Sequence, residues 1–192
     1  NQAQYLEETI RSVLLQSYPN LEYIIMDGGS TDGSVEIIKK YSKYLTYWES
    51  ETDRGQSHAI NKGFEKSTGD IMAWVNSDDY YAVDSFKIVA EKLGSNKKAM
   101  LIGSSIQIDN EDNKSGKLDE RKPAWDAMVY DSRTFPQPSV FWTRDLWDLA
   151  GPLDDSLYFL MDYDLWLKMR HVAEQVIFAN RALSYVNLHQ DQ

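Results

Sequence analysis

The sequence predicts an α/β domain, a mostly parallel central sheet flanked by helices and followed by an irregular C-terminal half. Three observations predict it. Short apolar runs alternate with stretches of helical periodicity through residues 1–104. Two of those runs, at 22–26 and 69–76, lead into acidic clusters, "MDGGSTDGS" and "WVNSDDY". The alternation then stops after Ser104, where polar turns and a proline-bounded apolar stretch take over.

The elements follow in order. Leu6, Ile10, Val13 and Leu14 recur at helical spacing, so 4–16 reads as an amphipathic helix stopped by Tyr18-Pro19-Asn20. Residues 22–26 read as a short buried strand. Asp32 or Ser34 is placed to cap a second helix with Val35, Ile38 and Tyr41 on its inner face. Residues 45–49 read as another strand, and Ile60 and Phe64, four apart, mark a helix over Ser57 to Lys66. "GDIMAWVN" (69–76) reads as a central strand, Phe86, Val89 and Leu93 as a helix, and 99–103 as a strand. That alternation is the pattern of a parallel sheet with crossover helices. Beyond it, "SSIQID" and "NEDNKSG" read as a hairpin or edge segment, and 119–134 shows no clear period. Residues 136–142 read as a strand, 162–170 as a helix, and 175–179 and 182–188 as short strands. No repeat or linker divides the chain, so 1–192 reads as one domain. Such a domain ordinarily opens on a strand, whereas "NQAQ" opens this chain on a polar turn and a helix. A first strand is therefore expected outside the given residues.

Composition narrows the function. The chain of 192 residues is long enough for a substantial core. No run is long and apolar enough to span a bilayer. The absence of cysteine excludes disulfides and thiolate metal sites and fits a reducing compartment. With 30 acidic against 20 basic side chains, the balance argues against general nucleic-acid binding. It permits one nucleotide held through a divalent cation, which supplies the missing positive charge. Six Trp and twelve Tyr offer the flat faces of sugar-binding clefts, and equally of ordinary cores.

Ligands of open parallel sheets bind outside the carboxyl ends of the strands, which would place both acidic clusters at one cleft. Asp27 can accept from a base or sugar, with Gly28 and Gly29 allowing close backbone approach. A plain turn before a helix is the commoner use of such residues. Asp78 and Asp79 can recruit a hard divalent cation, which prefers oxygen ligands, or form a solvated turn. In "ETDRGQSHAINKG", Arg54 can meet a base or phosphate, and His58 and Asn61 lie near a helix start. His171 and His189 lack a partner one helical turn on, so no histidine metal site is expected. Asp162 opens the helix of "FLMDYDLWLKM", where it either complements the helix dipole or serves as a general base.

In sequence order, "NQAQYLEETIRSVLLQSYPNLEYIIMDGGSTDGS", "ETDRGQSHAINKGFEKSTGDIMAWVNSDD", "PQPSVFW" and "GPLDDSLYFLMDYDLWLKM" together closely resemble family 2 glycosyltransferases, across nearly the whole chain. The resemblance implies the GT-A fold, with a nucleotide-binding half over 1–104 and an acceptor-side half over 105–192. It implies inverting transfer of a sugar from a nucleoside diphosphate donor, UDP-type first, to a hydroxyl of a saccharide or lipid-linked acceptor. Bacterial surface or exopolysaccharide synthesis is the implied setting. The implied location is the cytoplasm, with peripheral association at the inner face of the membrane. Asp27 matches the acid that holds the nucleoside base, and Arg54 lies in the loop lining it. Asp78 and Asp79 match the acids that contact ribose and the diphosphate bound to Mn²⁺ or Mg²⁺. Asp162 matches the general base, and Gln137, Pro138 and Ser139 match a segment on the acceptor or donor-sugar side. Asn1 matches the last residue of the turn that ends the family's first strand. Two departures stand out. Gly28 follows Asp27 where many members carry a second acid, and Asn76 replaces the first acid of Asp-x-Asp. Two rival readings remain at this point: a non-catalytic sugar- or cation-binding module, and a hydrolase using Asp79 and Asp162 on a glycosidic bond.

Overall fold

The computed structural model describes residues 1–109, 114–119, 125–131 and 135–189. The tip of the expected 104–116 hairpin or edge segment and parts of the irregular 119–134 stretch lie outside these. Helix α1 (Ala3–Leu14) buries Leu6, Thr9, Ile10 and Val13 on one face. Its first amide, Ala3 N, donates to Asp32 Oδ2 at 2.8 Å. Asp32 Oδ1 takes Ser34 N and Ser34 Oγ, at the start of α2 (Ser34–Tyr41). One aspartate thus serves the starts of two helices. Strand β1 (Ile24–Asp27) precedes α2, and β2 (Tyr47–Ser50) follows it; the two pair in parallel, Ile24 opposite Tyr47 and Asp27 opposite Ser50.

Helix α3 (Gln56–Lys66) leads to β3 (Ile71–Met72), then β4 (Tyr80–Tyr81), α4 (Ser85–Leu93) and the long β5 (Ala99–Asp109). β6 (Lys114–Asp119) returns along β5 as a hairpin. Helix α5 (Trp125–Asp131), a 3₁₀ turn at Gln137–Ser139, β7 (Val140–Thr143), α6 (Arg144–Ala150), α7 (Met161–Val172) and β8 (Gln175–Leu188) complete the chain. The second sheet runs β3-β7-β5-β8-β4, with β6 beside β5.

The α/β class holds, but the pairing is mixed rather than mostly parallel. β5 and β8 are parallel, whereas β3–β7, β5–β7, β4–β8 and β5–β6 are antiparallel. The cause is that two strands of the C-terminal half enter the sheet. β7 separates β3 from β5, and β8 takes the other side of β5. Nor is 69–76 a central strand. Only Ile71 and Met72 pair, with Thr143 and Trp142, and β3 ends the sheet.

A slot separates the two sheets. The free edges of β1 and β3 line one cavity of about 1240 Å³. Leu6 and Val13 of α1 and Phe86 of α4 also line it, as do Ile60 and Phe64 of α3. Glu22 Oε2 bridges its lower end, accepting from Thr68 N at 2.7 Å and Gly69 N at 2.9 Å. Asn1 stands at the opposite end, its Oδ1 accepting from Thr31 N at 2.8 Å just past β1. A strand ending at Asn1 would run parallel to β1 between β1 and β3. Helices on both sides require such a strand to be apolar on both faces. Joining a six-residue Val/Ile-rich segment to Asn1 is therefore expected to raise Tm by several degrees. A Lys/Glu segment of equal length should not. Equal melting of the two fusions would show that the slot does not take a strand.

The core lies chiefly on the other face of the second sheet. Trp142, Leu146, Leu165, Trp166 and Met169 are fully buried there. Trp166 stacks on Trp74 at 5.4 Å, clamping α7 to the segment after β3. Truncating a buried tryptophan costs about 3–5 kcal/mol, so α7 is a rigid mount for its first turn.

Candidate active site

β1 ends on Asp27, and three donors converge on Asp27 Oδ2: Gly29 N at 3.1 Å, Ser30 N at 2.9 Å and Ser50 Oγ at 2.6 Å. Burial alone would raise this acid, but the bonds from Ser30, Ser50 and Gly29 outweigh it and hold it below its ordinary value. Asp27 therefore ties its own turn together, and none of the three bonds uses Oδ1. A Cβ on Gly28 would stand 2.7 Å from Asp53 Oδ2, and Gly29 has φ +86. Gly29 is required by the turn itself, and Gly28 makes room for the Asp53 side chain.

The acidic pair sits at the end of the segment after β3. Thr9 of α1 donates its hydroxyl to Ser77 O at 2.9 Å and Asp79 O at 2.7 Å. Next along the seam, Tyr81 N donates to Ser12 Oγ, and Gln16 bonds Ala82 O and Phe86 N. Asp78 is 8% exposed and Asp79 3%. Asp78 Oδ2 meets His189 Nε2 at 2.9 Å, and Tyr5 stacks on the His189 ring at 4.9 Å. Asn187 N donates to Asp79 Oδ1 at 3.3 Å. His189 thus joins the acidic pair as a hydrogen-bond partner of Asp78, a contact on which the lack of histidine pairs one helical turn apart has no bearing. The end of β8 brings it there, from 111 residues away.

Burial, and then the Asp78 charge, push the Asp79 acid up to about 7. Its unfolded value is near 3.8, so the folded protein retains a proton that the unfolded chain releases between those values. Stability without a cation then falls as pH rises through that window. The Tm of the chelated protein is expected to drop between pH 5 and pH 8, and to drop less in Asp79→Asn. Parallel losses in both proteins would place the titration elsewhere.

Among the described residues, no group of three or more His, Asp and Glu side chains is arranged as a metal site. Asp78 and Asp79 nevertheless fit a hard divalent cation. They are two adjacent carboxylates at one strand-end loop whose partners among the described residues are a neutral amide and a histidine, Asn187 N on Asp79 and His189 on Asp78.

A smaller recess of about 200 Å³ adjoins this region. Gln56, Trp74, Asn76, Gln137 and Asp162 line it, together with residues 158–161. Gln56 Nε2 donates to Asn76 Oδ1 at 2.8 Å, and Gln137 Nε2 to Trp74 O at 2.9 Å. Asp162, in the first turn of α7, takes Tyr163 N on Oδ1 at 2.8 Å. Asp164 instead pairs with Lys168 one turn on, at 2.6 Å. The structure thus brings Asn76, Gln137 and Asp162 to one recess. Pro138 and Ser139 do not line it. Ser139 is 0% exposed and spends its hydroxyl on Ser104 O and Ser184 Oγ, because the 3₁₀ turn points it into the core. Arg54 pairs with Asp155 at 2.6 Å, in an exposed bridge that contributes little and exchanges easily. Sequence reasoning missed His189, Gln56 and Trp74.

A strand-end acidic pair beside a carboxylate-bearing recess, on this mixed α/β sheet, defines a GT-A-type glycosyltransferase domain. The chain belongs to glycosyl transferase family 2, whose model matches residues 1–145. An uncharacterized glycosyltransferase of Rickettsia typhi is 28% identical over 209 aligned positions. That match takes in 100% of this chain and 62% of the relative, so the chain spans less than two thirds of that protein. The putative teichuronic acid biosynthesis glycosyltransferase TuaG of Bacillus subtilis is 37% identical over 92 positions, 45% of this chain and 36% of TuaG. The crystal structure of S. aureus TarS 1-349 in complex with UDP-GlcNAc superposes with a TM-score of 0.75 at 18% identity. It covers 98% of this chain and 56% of that one. No helix of the described residues is long and apolar enough to cross a membrane.

Proposed function

We propose that this domain transfers a sugar, with inversion, from a nucleoside diphosphate donor to an acceptor hydroxyl. The observation that carries the reading is the separation of its carboxylates. Asp78 and Asp79 lie at the strand-end loop, and Asp162 lies in the adjoining recess, with Asn76 lining both cavities. Inversion needs that division. The acceptor oxygen attacks the anomeric carbon, the bond to the diphosphate oxygen breaks on the opposite face, and the acceptor proton passes to a base on the attacking side. Asp162 takes the proton, while Asp78 and Asp79 stand on the leaving-group side. Asp27 and Arg54 flank the base, and Asn76 reaches the donor without adding charge. Asp78 and Asp79 would hold Mn²⁺ or Mg²⁺, which when bound neutralises charge on the diphosphate.

UDP sugars are the first donors to test, in keeping with the ligand of TarS. A role in bacterial surface polysaccharide synthesis is in keeping with the name of TuaG. A thermal-shift series of nucleoside diphosphates and their sugars, with and without Mn²⁺ or Mg²⁺, tests the donor reading. A cation-dependent rise in Tm with at least one nucleotide is expected. Binding without turnover of any nucleotide sugar would make this a binding module instead. Cleavage of oligosaccharides without nucleotide would make it a hydrolase.

A further inference from the structure

We propose that Tyr158 and Phe159 form a stacking platform for the acceptor saccharide, holding the apolar face of a pyranose ring over the Asp162 recess. The inference rests on the transferase reading above and adds to it the class of acceptor and the residues that select it.

Tyr158, Phe159 and Leu160 are 87%, 77% and 65% exposed, three consecutive large apolar side chains in water. Contiguous exposure of this kind marks a contact surface. All three line the recess that holds Asp162. The two rings meet edge to face at 5.0 Å, so they form one shaped surface. Their exposure does not come from a loosely held loop. At its base Leu153 is buried, Leu153 N donates to Asn61 Oδ1 at 3.0 Å, and Asn61 Nδ2 returns to Leu153 O at 2.9 Å. Asp154 Oδ1 takes Ser156 N and Ser156 Oγ, and Asp155 takes Arg54. At the other end Leu160 has φ 60, a left-handed conformation that a leucine adopts at a cost. The fold holds that strain where the aromatic pair joins α7, two residues before Asp162.

The chemistry of the recess selects the ligand. Gln56, Asn76 and Gln137 line the recess; Gln56 and Asn76 bond each other, and Gln137 Oε1 is buried with no hydrogen bond among the described residues. Amides facing an aromatic wall suit a ring with hydroxyls on its edge and C–H bonds on its face. Asp154 and Asp162, with Asp155 offset by Arg54, leave no cationic surplus beside the aromatic pair to attract an anionic lipid surface. A neutral or amino sugar meets no such repulsion.

The test uses the full chain with UDP and Mn²⁺, and cellobiose and chitobiose as acceptor probes, read by saturation-transfer NMR. At least one disaccharide is expected to receive saturation on its axial ring protons. In Tyr158→Ala/Phe159→Ala its affinity should fall roughly tenfold, about the worth of one good aromatic contact. Tyr158→Trp should retain it, and UDP affinity and Tm should not change in either variant. If UDP binds but neither disaccharide does, or if the double variant binds them as well as the parent, the platform is wrong. If UDP itself fails to bind, the transferase reading fails first. Cosedimentation with phosphatidylglycerol vesicles that depends on Tyr158 and Phe159 would overturn the saccharide assignment in favour of a lipid surface.

Discussion

Asp162→Asn is expected to lower turnover by about 10²–10⁴-fold, the usual contribution of a positioned base. Donor affinity and Tm should stay nearly constant. The substitution keeps the shape of the side chain and removes its ability to take a proton. α7 is held by Leu165, Trp166 and Met169, all fully buried, so its first turn does not depend on Asp162 for position. Tyr163 adds a hydroxyl bond to Met128 O of α5. Asp164→Asn is the control. It removes a helix-surface pair with Lys168 and should be much milder. If Asp162→Asn instead lowers Tm sharply while turnover per folded molecule persists, Asp162 only complements the helix dipole, and the base lies elsewhere.

The second large effect belongs to the acidic pair. UDP affinity is expected to collapse when chelator removes Mn²⁺ or Mg²⁺, because diphosphate would otherwise approach two carboxylates without a counter-charge. Asp79→Ala should abolish the cation dependence together with activity. His189→Ala should weaken cation affinity by about 10–100-fold, the usual cost of losing a group that orients a ligand carboxylate. Calorimetric titrations with and without chelator decide the matter. Equal UDP affinity in both would remove Asp78 and Asp79 from this role. Unchanged cation affinity in His189→Ala would show that its bond to Asp78 is structural only.

What could be read from the sequence was local. The helices now seen as α1, α3 and α7 carry clear apolar periodicity, and the two acidic clusters stand at the ends of apolar runs. Long-range pairing was not legible. β8 looked like two strands because exposed Asn180 and Arg181 interrupt its apolar pattern. The strand continues through them, with Asn180 at φ 50 and the register shifting against β5. α6 has only seven residues and no side-chain cap, too little for a periodic signal. His189 had no local motif to reveal it, since its partner is 111 residues distant and the strand between them does the placing. Ser139 misled because its match to a family motif says nothing about which way a 3₁₀ turn directs a hydroxyl.

The seam from Thr9, Ser12 and Gln16 to residues 77–86 makes the proposed donor cleft unequal on its two sides. The acidic loop cannot open unless α1 peels away with it. The amides of Asp79 to Phe86 should therefore exchange with solvent deuterium at the rate of α1, as one cooperative unit. Arg54, by contrast, meets Asp155 through one exposed ion pair that can part at little cost, while the Asn61–Leu153 bonds keep the base of the Asp155 loop in place. Slow exchange along the α1 seam should thus contrast with fast exchange around Arg54. The nucleotide sugar would enter and its products leave along the yielding wall, while the wall that bears the carboxylates stays still.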